Sequence, residues 1–332
     1  MKPFRIAQIG TSRWSHGNEC FRALKNNPDV FEIAGYCFPE NEQEKFPKQM
    51  NIFEGYRELT LDEILNDPTI VAVAIETEEK YLTKYALSVV RHGKHIHMEK
   101  SGGLDSAEFE QVATIAKTNQ TVFHTGYMYR YNPYVQELLE QIKCGELGEI
   151  ISVEAQMNCY EPLECRKWLE DYPGGMMFFL GCHLIDLIYT IQGQPKAIIP
   201  LNKSTGLDGV TCKDFGMVIF EYDKGVSFAK TSAVEGGGFE RRQLVVCGSK
   251  KTVELHPLER HIENRLLTTG RYIRENSTLW NTVHEQEFAE PFDRYSPMML
   301  SFAQMVRGEK KNPYDYDYEL TLHQLVIKAS GG

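Results

Sequence analysis

Predicted strands that alternate with predicted helices constrain the fold of this chain more than any other feature. The strongest signal is Ile70–Ile75, six consecutive apolar residues, which is typical of a parallel strand buried on both faces. Similar signals predict strands over 4–10, 31–37, 95–98 and 121–125, and helices over 18–25, 81–91 and 106–118. This alternation predicts a doubly wound parallel sheet with helices on both faces.

The residues that directly follow these strands are expected to share one edge of the sheet, because parallel strands end on the same side. Ligands of such sheets bind beyond the carboxyl ends of the strands. The residues concerned are Gly10, Phe38, Thr77, Glu99 and Gly126. The sequence therefore predicts a ligand site at this edge.

The pattern changes after about residue 127. Strands are predicted over 150–158, 196–200, 216–222, 226–232, 243–247 and 252–255, and helices over 134–144, 174–191, 298–307 and 319–328. A run of strands indicates a large, mainly antiparallel sheet that is open on one face. We predict an α/β chain with one domain at 1–126 and an α+β domain at 127–332, and a surface loop at 314–318.

Charge and composition exclude several classes of function. The formal net charge of −10 argues against nucleic-acid and anionic-membrane partners, which need a basic face. There is no N-terminal apolar region typical of a signal peptide and no apolar run long enough to span a bilayer, so we expect a cytoplasmic protein. The eight cysteines include no C-x-x-C pair, which predicts free thiols. No carboxylate or cysteine near His95 and His97 in sequence completes a ligand set, so no metal site is predicted.

The segment 9–17, Ile-Gly-Thr-Ser-Arg-Trp-Ser-His-Gly, lies where a dinucleotide-binding chain has its glycine-rich turn. That fingerprint is G-x-G-x-x-G, and here only Gly10 is in place, with Ser12 and Ser15 at the second and third glycine positions. Two hydroxymethyl groups narrow such a site without closing it, and amides at a helix N-terminus can still face a phosphate. Arg13 either pairs with a phosphate or is simply exposed.

Further motifs follow in order along nearly the whole chain. Glu99-Lys100 follows a short strand, Arg130 lies in Gly-Tyr-Met-Tyr-Arg-Tyr-Asn-Pro at 126–133, Gly-Glu-Leu-Gly occupies 145–148, and Gly174-Gly175 precede Gly-Cys-His-Leu-Ile-Asp at 181–186. Together they resemble the Glu-Lys-Pro, Gly-x-x-x-Arg-Phe-x-Pro, Gly-x-x-Gly and Gly-Gly-Gly…Asp-x-Gly-x-His-x-x-Asp motifs of the Gfo/Idh/MocA oxidoreductases, which include glucose–fructose oxidoreductases and inositol dehydrogenases.

This resemblance implies an N-terminal Rossmann domain that binds NAD or NADP, a substrate that is a sugar, polyol or related alcohol, and a homo-oligomer formed through the open sheet. It also implies a chain that often continues a little beyond Gly332. Lys100 matches the lysine between cofactor and substrate, and His183 matches the general base, with Tyr127 and Asp186 as possible support. The residues expected at the cofactor are Gly10, Thr11, Ser12, Arg13, Trp14, Phe38, Thr77, Glu99, Lys100 and Arg130.

Simpler interpretations remain open for several of these residues. Lys100 is otherwise a solvated lysine at a strand end, and His183 a histidine capped within a helix. Phe38 occupies the position of an acid that binds the adenosine ribose; it either stacks on adenine or packs in the core. Glu76, Glu78 and Glu79 replace the family's Thr-Pro-Asn segment around Thr77 and would oppose a pyrophosphate unless they point away into solvent.

The largest departure is Phe179, which occupies the place of the aspartate four residues before the histidine, so the Lys–Asp–His set of the family is incomplete. Asp186, three residues after His183, either replaces that partner or has a structural role. Two main functions remain: an NAD(P)-dependent dehydrogenase, or a family member that has a degenerate cofactor site and binds a ligand or a protein partner. A third is an enzyme that uses a tightly held cofactor for other chemistry, such as a redox-neutral sugar transformation. The sequence does not choose between NAD and NADP.

Overall fold

The structure is a computed structural model that describes residues 2–280 and 285–332. It forms two units. The first contains the chain up to Tyr127 together with Tyr295–Gln324, and the second contains Met128–Arg294 and Leu325–Gly332. The sequence analysis divides the chain once, at 126/127, whereas the structure also places Tyr295–Gln324 in the first unit. A boundary between functional domains at 126/127 stays a prediction.

Within the described part of the chain, the first unit contains five strands and six complete helices. Its strands are β1 Phe4–Ile9, β2 Phe31–Cys37, β3 Ile70–Ile75, β4 His95–Met98 and β5 Phe123–Thr125, and its helices are α1 Gly17–Asn26, α2 Glu42–Lys45, α3 Leu61–Asn66, α4 Leu82–Arg91, α5 Ser106–Asn119 and, later in the chain, α9 Ser296–Val306. The last helix, α10 Tyr316–Ala329, begins in the first unit and ends in the second.

The second unit contains eleven strands and three helices within the described residues. The strands are β6 Ile150–Asn158, β7 Ala197–Pro200, β8 Phe215–Tyr222, β9 Gly225–Ser232, β10 Gln243–Gly248, β11 Lys251–Leu255, β12 Arg260–His261, β13 Leu266–Thr268, β14 Gly270–Glu275, β15 Glu287–Phe288 and β16 Phe292–Asp293. The helices are α6 Pro133–Lys143, α7 Leu163–Trp168 and α8 Cys182–Gln192.

The first sheet is parallel throughout, with the strand order β2-β1-β3-β4-β5. All residues of β3 except Val71 are buried, because helices cover both faces of a doubly wound sheet. Strand β2 lies on one side of β1, whereas β3, β4 and β5 follow in order on the other side. The order of the strands therefore reverses between β1 and β3, which are direct neighbours. This is the switch point where ligands of such sheets bind, and the predicted doubly wound parallel sheet is confirmed.

The main sheet of the second unit has eight strands in the order β15-β14-β11-β10-β6-β9-β8-β7. Its neighbours pair antiparallel except for β6 and β9, which are parallel. Strands β8 and β10 alternate buried and partly exposed residues, as expected for a sheet with one covered face. The predicted mainly antiparallel sheet is confirmed.

Two local predictions were wrong. The helix predicted from Gly174 begins later, with a π-helical turn at Met177–Gly181 that continues into α8, because Gly174 and Gly175 both have positive φ angles, 68° and 50°, that a helix does not allow. The loop predicted over 314–318 ends early, because α10 begins at Tyr316. Polar and aromatic residues in the first turn of a helix resemble a loop when only the sequence is read.

A buried ion pair joins the segment before α6 to α8 within the second unit. The Arg130 guanidinium donates to both carboxylate oxygens of Asp186, with Nη2 to Oδ1 at 2.7 Å and Nε to Oδ2 at 3.0 Å. Both side chains are 1% exposed. Two charges are tolerated at such depth only when they are paired and hydrogen-bonded. The Arg130 guanidinium thus has a structural partner in Asp186. This pairing argues against the prediction that Arg130 contacts the cofactor.

His323 of α10 anchors that helix within the first unit. Its ring stacks on Phe109 at 4.2 Å between centroids, and its Nδ1 lies 3.2 Å from the carbonyl oxygen of Ser101, in the loop after β4. Burial lowers the pKa of His323 to about 4, because a charged imidazole is poorly solvated there.

We predict that Asp186→Asn lowers the free energy of unfolding by about 3 kcal/mol, because it leaves the buried Arg130 charge without a counter-charge. Chemical denaturation measures this change. The matched control is Glu140→Gln, which removes the exposed pair of Glu140 and Lys143 and is expected to cost less than about 0.5 kcal/mol. Equal effects of the two substitutions would contradict the structural role of Asp186.

We also predict that acid destabilises the protein partly through His323. The folded-state pKa, about 4, lies below the value of about 6.5 for an unfolded chain. The stabilisation is therefore complete above pH ~6.5 and is lost as the pH falls toward 4. His323→Phe keeps the stacking but cannot be charged, so its denaturation midpoint should fall less steeply with pH. The exposed His92→Gln variant is the control, and a wild-type slope in both would refute the assignment.

Candidate active site

The loop after β1 is closed by its own side chains. Gly10 has φ +78°, and a Cβ there would lie 2.3 Å from Thr77 Cγ2, so no other residue fits. The buried side-chain amide of Gln8 donates from Nε2 to the carbonyl oxygens of Gly10 and Gly17, both at 3.1 Å. Thr11 Oγ1 donates to Asn18 Oδ1 at 3.1 Å. The predicted dinucleotide loop is therefore an ordered turn at the switch point.

Gly17, which the sequence analysis did not assign, brings the first helix close to the sheet. A Cβ on this residue would lie 3.0 Å from Glu76 Cβ and 3.3 Å from Thr11 Cα. In the dinucleotide fingerprint the third glycine permits this approach of helix to strand. In this structure Gly17, two residues after Ser15, takes the role of the third glycine. A search with the fixed spacing of the fingerprint therefore does not find it.

Ser12 and Ser15 offer polar groups inside this loop. Both are buried, and neither hydroxyl oxygen has a hydrogen-bond partner among the described residues. A buried hydroxyl without a partner carries a free-energy cost, which a phosphate oxygen would relieve. Arg13 is exposed, with its guanidinium carbon 4.5 Å from the ring centre of Trp14. The residues of this loop therefore fit the pyrophosphate of a dinucleotide.

Phe38 packs inside an aromatic cluster. Its ring lies 4.9 Å from those of Tyr36 and Phe53, and the residue is buried. These contacts favour the interpretation that Phe38 belongs to the core. The residue at the predicted ribose position is therefore an apolar core residue and not an acid.

The structure supplies a carboxylate nearby, on Glu42. Its side chain is fully buried; Oε2 accepts from the amide of Glu40 at 3.0 Å, and Oε1 has no hydrogen-bond partner within the described chain. A Cβ on Gly10 would lie 2.9 Å from Glu42 Oε1, so the group borders the glycine turn. Burial raises the pKa of Glu42. Glu42 lies four residues after Phe38 in the sequence, so the spacing of the fingerprint does not identify it.

The acidic residues after β3 do not point into solvent. Glu76, Glu78 and Glu79 are all buried, which corrects the expectation that exposure would separate them from a phosphate. Protein cations compensate two of them, since Lys45 Nζ lies 3.6 Å from Glu78 Oε2 and Lys100 Nζ lies 3.7 Å from Glu79 Oε1.

Lys100 is held at the carboxyl end of β4. The residue is 1% exposed, so it is not a solvated lysine. Its Nζ lies 3.6 Å from Glu99 Oε1, in addition to Glu79. Burial raises the pKa of Glu99 to about 8 and also raises the pKa of Glu79. An amine fixed between two carboxyl groups at the ligand-binding edge can orient a hydroxyl and exchange a proton.

A second polar group lies among these residues. Cys20 Sγ is 3.9 Å from His97 Nε2, which is 3.3 Å from Glu76 Oε1, and His97 Nδ1 is 2.7 Å from His124 Nδ1. The sequence analysis found no carboxylate or cysteine to accompany His97. The structure brings both to it from distant parts of the chain.

The predicted site residues of the second unit lie around α8. His183 is buried, and the ring of Tyr129 meets its imidazole edge-on at 5.4 Å between centroids. Phe179, in the position of the missing aspartate, packs perpendicular to Trp168 at 5.2 Å. Asp186 is bound to Arg130, as described above, which disfavours it as the partner of His183. Tyr127, a residue of the first unit, is buried.

A cavity of about 650 Å³ also lies in the second unit. Tyr129 connects it to His183, because the Tyr129 hydroxyl lies 3.5 Å from both Arg242 Nη1 and Arg294 Nη2, two residues that line it. The buried Glu259 carboxylate accepts hydrogen bonds from both arginines, and their charges lower its pKa against the effect of burial. The cavity lining is Phe239, Glu240, Arg242, Pro257, Glu259, Arg260, His261, Leu267 and Arg294. These charged residues lie outside all of the motifs recognised in the sequence, so they were not predicted as site residues.

Relatives of known sequence carry oxidoreductase names. The chain is 29% identical over 142 residues to an uncharacterised oxidoreductase, YhhX, of Escherichia coli, covering 42% of this chain and 40% of that protein. It is 27% identical over 174 residues to scyllo-inositol 2-dehydrogenase (NADP(+)) IolW of Bacillus subtilis, covering 51% and 47%. The chain thus spans about half the length of these curated relatives.

Solved structures show the same fold over the full chain. KijD10, a 3-ketoreductase from Actinomadura kijaniata in complex with NADP and TDP-benzene, has a TM-score of 0.80 at 16% identity, covering 100% of this chain and 98% of that one. GenD2 from gentamicin A biosynthesis, in complex with NAD, has a TM-score of 0.76 at 18% identity, covering 100% and 95%.

Two family models match the chain. Residues 4–127 match the oxidoreductase family with an NAD-binding Rossmann fold, and residues 135–254 match the GFO/IDH/MocA C-terminal domain. The first match confirms the predicted cofactor class, NAD or NADP, and agrees with the loop geometry around Gly10. In the described residues no helix has both the length and the apolar character needed to cross a membrane. Two matches that together cover more than half of the chain identify it as a member of the Gfo/Idh/MocA oxidoreductase family.

Proposed function

We propose that this protein is an NAD(P)-dependent oxidoreductase that transfers hydride between nicotinamide and the carbinol carbon of a sugar, polyol or related alcohol. The observation that carries the proposal is Lys100, buried at the ligand-binding edge of the first sheet between Glu79 and Glu99. A buried lysine costs free energy, and its position at this edge gives it a chemical use. The names of the relatives support a substrate with several hydroxyl groups, since one acts on scyllo-inositol.

The bound dinucleotide supplies the carbon that accepts or donates hydride. Gly10, Gly17 and the Ser12 and Ser15 hydroxyls are proposed to hold its pyrophosphate, together with backbone amides at the start of α1. Thr11, Arg13, Trp14 and Thr77 border the same loop and stay predicted cofactor contacts. Arg130 is the weakest of the predicted contacts, because Asp186 engages its guanidinium.

Lys100 is proposed to donate a hydrogen bond to the reacting hydroxyl and to stabilise negative charge on that oxygen as hydride leaves. Glu79 and Glu99 keep the amine in place and offer a route for the proton. In the second unit His183 is the proposed general base, oriented by the edge of Tyr129. Phe179 cannot stabilise an imidazolium ion as an aspartate would, so proton transfer through Lys100 and its two carboxyl neighbours gains weight in this protein.

Glu42 is proposed to replace the acid missing at Phe38. Its buried Oε1, beside the glycine turn, can accept hydrogen bonds from the adenosine ribose hydroxyls, and its negative charge would repel a 2′-phosphate. This arrangement favours NAD over NADP.

The alternative function is a family member without dehydrogenase activity that binds a ligand or partner. The incomplete glycine fingerprint and Phe179 favour this alternative.

We also propose that the protein forms a homo-oligomer and has a cytoplasmic location. Ile199, Leu201 and Val226, on and beside the edge strand β7 and the nearby strand β9, are between 42% and 52% exposed. Apolar residues exposed together on a sheet often form contacts between subunits.

We predict that calorimetric titration with NAD, NADH, NADP and NADPH gives micromolar binding of NAD(H) and weaker binding of NADP(H). Glu42→Gln should reduce the affinity for NAD(H) by roughly tenfold and narrow this difference, since a neutral amide accepts the ribose hydroxyls less strongly. Glu44→Gln, an exposed change on the same helix, is the control. No binding up to millimolar dinucleotide by folded protein would refute the dehydrogenase and leave the binding-protein alternative.

We predict that Lys100→Met lowers turnover by roughly 100-fold or more, because the alkoxide loses its charged donor, while dinucleotide affinity changes little. The assay is nicotinamide absorbance with a screen of sugars and polyols. Lys94→Met is the matched control, because Lys94 is also a buried lysine of the first unit but donates to the carbonyl oxygens of Asp67 and Ile70. Unchanged turnover in Lys100→Met would remove Lys100 from the mechanism.

A further inference from the structure

Three side chains of types that bind metal ions converge inside the first unit. Cys20 lies on α1, Glu76 directly follows β3, and His97 lies on β4. All three are 0% exposed. One ligand atom from each residue lies within 4.8 Å of the other two. Three separate elements therefore bring a thiol, a carboxyl group and an imidazole to one point.

The separations resemble those of a tetrahedral zinc site. With the usual zinc–ligand bond lengths, a sulfur and a nitrogen ligand lie ~3.6 Å apart, and a nitrogen and an oxygen ligand ~3.3 Å apart. The observed values are 3.9 Å between Cys20 Sγ and His97 Nε2 and 3.3 Å between His97 Nε2 and Glu76 Oε1. These two separations match the ideal values to within about 0.3 Å, and the third, between Cys20 Sγ and a Glu76 carboxylate oxygen, is below 4.8 Å.

The Glu76 carboxylate is fully buried beside the other two groups. The Cys20 thiol is its hydrogen-bonding neighbour, and His97 Nε2 lies 3.3 Å from its Oε1. A fully buried carboxyl group costs free energy, and coordination of a cation by the carboxylate is one of the few ways to lower that cost.

The outer partner of His97 favours a metal at its other nitrogen. His97 Nδ1 lies 2.7 Å from His124 Nδ1, so one of these two nitrogens carries a proton. When His97 Nδ1 holds it and donates to His124, His97 Nε2 presents a lone pair toward Cys20 and Glu76. Metal-binding histidines are commonly held in this way by a hydrogen bond at the second nitrogen.

We propose that Cys20, Glu76 and His97 bind one zinc ion, which joins α1 to the carboxyl ends of β3 and β4. A thiolate and a carboxylate balance the two positive charges of the ion, and the mixed sulfur, nitrogen and oxygen ligand set suits zinc. The fourth coordination position is left for water. The thiol proton leaves as the ion binds. The proposed site does not depend on the proposed oxidoreductase activity.

The first test is metal analysis of the full-length protein. Protein produced in zinc-supplemented medium and then freed of loosely bound metal by gel filtration is analysed by plasma mass spectrometry, and one zinc ion per chain is expected. The same protein, unfolded with a chelator and refolded with Co²⁺, should show a thiolate-to-cobalt charge-transfer band and visible ligand-field bands. Folded wild-type protein with neither zinc nor these bands would overturn the proposal.

Matched cysteine variants locate the ion. Cys20→Ala should lose the zinc and the charge-transfer band, whereas Cys37→Ala, another buried thiol of the first unit, should keep both. Should Cys20→Ala fail to fold, Glu76→Gln of nearly the same volume should show at least a tenfold loss of zinc affinity. Zinc retained at full stoichiometry in a folded Cys20→Ala or Glu76→Gln protein would place the ion elsewhere and refute the site.

Discussion

The burial of charge at the carboxyl edge of the first sheet is the constraint on which the rest of this unit depends. Lys100, Glu79 and Glu99 lie at that edge with almost no exposure. Ions removed from water are stable only when their partners are fixed. The packing of β3, β4 and their following loops must therefore be specific, and the same precision would serve the chemistry proposed for Lys100. A rigid lysine between two carboxyl groups costs no reorganisation when an alkoxide develops nearby.

The second unit also contains buried charged groups, which are paired with one another. The Arg130–Asp186 pair and the group of Arg242, Glu259 and Arg294 place guanidinium and carboxylate groups close to α8. Tyr129 touches both His183 and the two arginines. The family's aspartate at the position of Phe179 is replaced by an aromatic contact with Trp168, so the environment of His183 differs from the family pattern. This difference makes Lys100, rather than His183, the firmer element of the proposed mechanism.

Much of the fold was predictable from the sequence because the dominant forces are local or periodic. The strands Phe31–Cys37, Ile70–Ile75 and His95–Met98 match their predicted bounds. The clearest of them, Ile70–Ile75, is a short continuous apolar run, which has few other solutions. The strands β12, β13, β15 and β16 were missed because two or three residues carry no period, and the six-residue strand β14 was also missed. Gly17 was missed because the loop before α1 is two residues longer than the fingerprint.

The sequence by itself determined the alternation of strands and helices, the order of the motifs and the presence of Lys100 and His183 in them. These follow from hydrophobic periodicity and from residue identity, both of which are written along the chain. Only the tertiary structure decided that Asp186 pairs with Arg130, that Glu42 reaches the glycine turn, and that Cys20, Glu76 and His97 meet. The positions 20, 76 and 97 belong to three elements that only the packed sheet brings together. Pairing and burial of polar groups depend on distances between elements, and sequence spacing does not encode such distances.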